Sequence, residues 1–188
     1  MVNRLAMVAV GIALVGSMAG RAEARGVDTH TREQAAVEKE AIELVEQVEE
    51  AGWDLRYHTE RLDHFARNHG ISRWTHYHHL DQIKRLVNGD LRPALKRLTE
   101  IQAQLPEWKQ ESIDRMLASA RELSAHASSS YVTKAANAKL PPEMNEDYTA
   151  FVRGMTTHVE SLVKTSDAAH SFATAHLKAV EAGLPVQR

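Results

Sequence analysis

Val37, Ala41, Leu44, Val48, Ala51, Leu55, His58, Leu62 and Phe65 recur at alternating spacings of four and three. Such a seam, held for about four heptads, is one apolar face of a long helix. A helix that long is stable only when its stripe packs against other helices. This pattern therefore constrains the fold more than any other feature of the chain. Helix one is expected at about 31–69, opened by a Thr31/Gln34 capping box and stopped at Gly70.

Three further segments carry the same period, and none reads as a strand. Helix two is expected at about 72–104, with Ser72 as N-cap. Its stripe is His76, Leu80, Ile83, Val87, Leu91, Ala94, Leu98 and Ile101. The step from Val87 to Leu91 is a four where a three is due, beside Gly89 and Pro93. Proline removes a backbone donor and crowds the carbonyl four residues earlier, so a kink is expected there. Helix three, about 106–138, opens on Pro106 and presents Ile113, Met116 or Leu117, Ala120, Leu123, Ala127 and Tyr131. Pro141 and Pro142 break the chain before helix four, about 143–182. That helix carries Tyr148, Val152, Met155, Val159, Leu162, Ser166, Ala169, Ala173, His176 and Val180, and Gly183 and Pro185 end it. Short links between long helices force antiparallel neighbours. The expected fold is all-α, an antiparallel up-down-up-down four-helix bundle spanning 31–183. A three-helix bundle with helix one detached is the alternative.

The N-terminus has the layout of an export signal. Arg4 precedes the apolar run Leu5 to Val15, and Ala22-Glu23-Ala24 has the small-x-small form of a cleavage site. Residues 1–24 are expected to be removed before Arg25, with a cut after Ala19 as the alternative, leaving a short tail at 25–30. The apolar stretch ends at Arg21, short of the roughly 20 apolar residues of a spanning helix. The expected location is periplasmic or secreted, with no stable membrane span after cleavage.

Composition narrows the chemistry. The absence of cysteine excludes iron–sulfur clusters, thiolate zinc sites, covalently attached haem and a lipid-anchored export signal. Residues 1–24 carry Arg4, Arg21 and Glu23, so of 23 basic and 25 acidic residues the mature chain keeps 21 and 24. A mixed, near-neutral surface offers nucleic acid no concentrated basic stripe. All 11 histidines remain, and they are the one compositional oddity.

Two histidine constellations follow. His76 and His79 share a helix face, and His64 lies across the Gly70 turn. Gathered imidazoles could hold a divalent metal such as zinc, copper or nickel. The plainer reading is a solvated, histidine-rich helix end. The second constellation is a buried polar layer of His58, His126 and His158, at similar heights in the bundle, with Asn88 beside the helix-two stripe. Such a layer could line a ligand or haem pocket. Otherwise these side chains form buried hydrogen bonds that set helix register.

Other chemistries fare worse. Paired Glu-x-x-His motifs for a di-iron site are missing. Periplasmic b-type cytochromes resemble this architecture and use a methionine early in helix one and a histidine late in helix four. His176 fits the second role, but the mature methionines are Met116, Met144 and Met155. Ser128, Ser129 and Ser130 lie within an expected helix and not at a strained elbow. Leu98-Thr99-Glu100-Ile101-Gln102 resembles one copy of a pattern that small periplasmic stress chaperones carry twice. Trp53, Trp74 and Trp108 suit bundle ends.

His76-x-x-x-Leu80-x-x-Ile83-Lys84, Val87-Asn88, Trp108 before Ile113-Asp114-Arg115, Glu122-Leu123 and Tyr148 form a wider pattern over about 73–164. In these residues the chain resembles a group of exported, uncharacterised bacterial four-helix proteins. The resemblance implies fold and export, and no activity. The expected function is non-enzymatic: binding of protein partners or unfolded clients, or a part in envelope stress. A histidine-based metal or non-covalent haem protein is the alternative. A third expectation is lower stability at pH 5 than at pH 7, because histidines titrate near ~6.5.

Overall fold

The computed structural model describes residues 10–68, 70–129 and 146–181, and no strand occurs among them. Helix α1 spans Val10–Ala66 and α2 spans Arg73–Leu86. A π turn, Val87–Leu91, joins α2 to α3, Arg92–Ile101. After a 3₁₀ turn at Gln102–Gln104, α4 spans Glu107–Ala127 and α5 spans Glu146–Glu181. The chain divides into two compact units, Met1–Lys39 and Glu40–Arg188. In the first, the described backbone is helical throughout. The packing described below belongs to the second.

Several boundaries differ from expectation. Helical backbone runs through Thr31, so that residue caps nothing. No proline interrupts this stretch, and extending a helix is easier than nucleating one. At the other end α1 stops at Ala66, three residues early. Arg67 and Asn68 donate backbone N–H groups to the carbonyls of His64 and Phe65, tightening the last turn. Gly70 then takes φ +93°, which reverses the chain where an L side chain would be strained. Ser72 caps α2, its hydroxyl accepting the Thr75 N–H at 3.2 Å. Helix α4 ends at Ala127, and the expected remainder, 130–138, lies outside the described residues together with Tyr131, Pro141 and Pro142.

The kink takes a definite form. Arg92 donates its N–H five residues back to Val87. The wider turn absorbs one extra residue, relieves the crowding Pro93 would impose on Gly89, and keeps both Val87 and Leu91 inward. This accounts for the step of four in the stripe.

The stripes are the core. Val48, Leu55, Leu62, Leu80, Ile83, Leu98, Met116, Leu123, Met155 and Leu162 are almost completely buried. Each such side chain contributes about 1.5–3 kcal/mol on leaving water. Cross-helix contacts define the pairing. Arg97 of α3 clasps Glu40 of α1 at 2.6 and 3.1 Å, and His79 of α2 meets His58 of α1. His170 of α5 meets Glu49 of α1 at 2.7 Å, and Ser119 of α4 donates to Ser161 of α5 at 3.2 Å. Along α1, Glu40 then His58 meet Arg97 then His79, and Glu49 then Gly52 lie against His170 then Val163, so residue numbers fall along these neighbours as they rise along α1. Gly52 makes room for α5: a Cβ there would lie 3.0 Å from Val163 Cγ2.

Candidate functional site

The helical period brings a set of rings from four helices into one chain of contacts. His58 and Tyr57 sit on α1, with ring centroids 5.1 Å apart, edge to face. His79 reaches His58 from α2, 5.1 Å between centroids, and Phe65 lies 5.5 Å from His79 and 6.0 Å from His76. His76 meets Tyr148 of α5, and Tyr148 is followed by Phe151, one turn on. Phe151 stacks on His126 of α4 at 5.4 Å, and His126 lies 5.5 Å from His158. Aromatic contacts of this kind add roughly 0.5–1.5 kcal/mol beyond area burial.

The imidazole contacts within this belt are specific. His58 and His79 face each other through Nδ1 atoms 2.8 Å apart. One nitrogen must donate and the other accept, so the contact cannot survive protonation of both rings. His79 is 9% exposed, and its pKa is pushed down to about 4. Burial is the first cause, followed by His58, His78, Arg61 and His76. His58 is also held below its ordinary value by burial and by His78, with Asp54 opposing. His76 is fully buried, and its Nδ1 lies 3.0 Å from the Tyr148 hydroxyl. Burial raises the Tyr148 phenol well above its ordinary range, so that hydroxyl keeps its proton. His126 is half-buried and donates through Nδ1 to the Glu122 carbonyl at 2.8 Å. Its Nε2 would lie 3.0 Å from a Cβ at position 154, so Gly154 is what admits the ring.

The structure sorts the expected site residues differently from the sequence. His64, His76 and His79 are not gathered as a ligand set. His64 is exposed and contacts Asn68, just past the end of its own helix, at 3.2 Å between Nε2 and Nδ2. His76 and His79 are about 60° apart around α2 at 100° per residue, enough for one to meet α5 and the other α1. Among the described residues no group of three or more His, Asp or Glu side chains converges to hold a metal ion. In the polar layer, His58, His126 and His158 do join one belt, with His79, His76 and aromatic rings between them. Asn88 does not. It lies exposed on the π turn and donates to the Lys84 carbonyl at 2.9 Å.

Other expected features resolve into local contacts. Trp53 and Trp74 are 48% and 71% exposed, the first under Arg56 and the second stacked on His78. Within Leu98–Gln102, Leu98 and Ile101 are core, Thr99 donates to the Leu95 carbonyl, and Gln102 donates to Asp114. The His170–Glu49 pair and the Tyr148 hydroxyl were not anticipated from the sequence. Their partners are 121 and 72 residues away, and only helix pairing reveals them. The chain matches no protein-family model, no curated protein and no solved structure.

Proposed function

We propose that the mature chain is an exported four-helix bundle, up-down-up-down, that acts without catalysis by binding unfolded or partly folded protein clients, and that acid loosens it for that task. The observation that carries this reading is the Nδ1-to-Nδ1 contact of His58 with His79, inside a ring belt linking α1, α2, α4 and α5. Five histidines, His58, His76, His79, His126 and His158, serve as joints within that belt. A joint that requires neutral imidazole weakens as pH falls towards 5, and loosening it uncovers long apolar helix faces. The opposed residue numbering of paired helices supports the bundle topology. The layout of residues 1–24 supports export to the periplasm or beyond.

The test is light scattering from an aggregation-prone model client, with and without residues 25–188, at pH 7 and pH 5. Protection that increases at pH 5 is the expected result. Scattering unchanged by the protein at both pH values refutes the client-binding reading. Equal protection at both refutes its link to acid.

A further inference from the structure

The π turn and α3 leave an open groove of about 340 Å³ against α4. Its floor is apolar, formed by Val87, Leu91, Leu95, Leu117 and Ala120. Leu117 is half-buried, and the other four are buried, so the floor is continuous with the core. Its rim is cationic. Arg92 and Lys96 stand four residues apart on α3, and Arg121 faces them from α4. Among the described residues no carboxylate lines the groove. All three cations are exposed, and none forms an ion pair with a carboxylate among the described residues. Elsewhere on this surface Arg56, Arg85, Arg97 and Arg115 are each matched to a glutamate or aspartate, while Arg61, Lys84, Arg153 and Lys164, also exposed, form no ion pair among the described residues. Like charges at this spacing on one helix repel, so the arrangement is mildly unfavourable until an anion joins it.

We infer that this groove binds a single-chain carboxylate amphiphile, a fatty acid, with its alkyl chain on the apolar floor and its headgroup among Arg92, Lys96 and Arg121. The volume suits one alkyl chain and lies at the lower end of small-molecule sites. The three cations supply charge-assisted contacts for one carboxylate. The inference extends the binding reading to a second class of ligand, and it stands whether or not acid loosens the bundle.

The experiment is calorimetric titration of the purified chain at pH 7.5 with dodecanoate below its micelle concentration. Dodecyl maltoside supplies the same tail with a neutral head, and phosphatidylglycerol vesicles supply an anionic surface. The expected result is saturable binding of one dodecanoate, with the neutral amphiphile weaker by roughly tenfold or more. Replacing the three cations together (Arg92→Gln, Lys96→Gln and Arg121→Gln) should weaken dodecanoate by about the same factor while circular dichroism is unchanged. Leu117→Glu, which sets a carboxylate at the floor, should weaken it independently. Equal affinity for both heads, or indifference to both sets of substitutions, overturns the inference. So does binding to vesicles alone, which would make the groove a membrane-facing patch. Loss of dodecanoate binding with client protection intact removes the groove proposal and leaves the client reading in place.

Discussion

Replacing His79 with phenylalanine should remove much of the acid lability of this fold. In the unfolded chain His79 titrates near ~6.5. In the folded chain its pKa is pushed down to about 4. The unfolded state therefore binds the proton first, and stability contributed by the neutral ring is full above ~6.5 and is lost as pH falls towards 4. Between pH 7 and pH 5 that linkage amounts to about 2 kcal/mol for an ideally buried group. His58, its contact, is half-exposed, and water around the pair reduces the effect to roughly 1 kcal/mol. For a chain of this length the loss corresponds to a fall in Tm of about 2–4 °C. His58 shifts in the same direction and adds to it. The assay is thermal unfolding by circular dichroism at pH 7 and pH 5, for the native chain and His79→Phe. Phenylalanine keeps the ring contacts with Phe65 and Tyr57 but cannot titrate. The variant should lose less Tm than the native chain over that interval, whatever its absolute stability. An identical loss in both would show that the acid sensitivity lies elsewhere, and the argument from the His58–His79 contact would fail.

Four other outcomes are expected. Tyr148→Phe removes the hydroxyl that His76 meets in the core and should cost about 1–3 kcal/mol in urea unfolding, since a buried polar group loses its partner. Gly52→Ala should destabilise by about 1 kcal/mol despite the better helix former, because a Cβ there sits 3.0 Å from Val163, whose branched side chain is stiff in a helix. Gly154→Ala meets the tip of the His126 ring at the same distance, but that ring can pivot, so its cost should be smaller than that of Gly52→Ala in the same assay. The intact mass of the exported chain should correspond to a start at Arg25, or at Gly20 by the alternative cut; an uncleaved mass would refute the signal reading.

Much of the fold was legible one helix at a time. Helical period depends on spacing along the chain, so the stripes from Ala41 to Leu62 and from His76 to Ile101 could be read off as the core, and nearly all of them are buried. The step of four at Val87 also carried information, because it marks the turn in which the backbone bond reaches back five residues. Local capping was less secure: Ser72 caps α2, whereas Thr31 lies mid-helix. Asn88 shows where periodicity misleads. It follows the inward Val87 by one residue, about 100° around the helix, and that step is enough to leave it exposed.

The candidate site was legible in composition and not in arrangement. An excess of histidine, with His58 and His76 on apolar seams, announces imidazoles in the interior. It does not say which ring meets which, because neighbours on different helices depend on axial register and rotation, and a shift of one residue moves a side chain about 100° around its helix. Thus the sequence determined the helical stripes, the turn at Gly70 and the chemistry that the lack of cysteine rules out. Tertiary packing alone decided that His79 meets His58, that His76 meets Tyr148, that His64 stays on the surface, and that Arg92, Lys96 and Arg121 surround one groove. The physical reason is range. Spacing within a helix acts over a few residues, while these contacts join positions 21 and 72 residues apart.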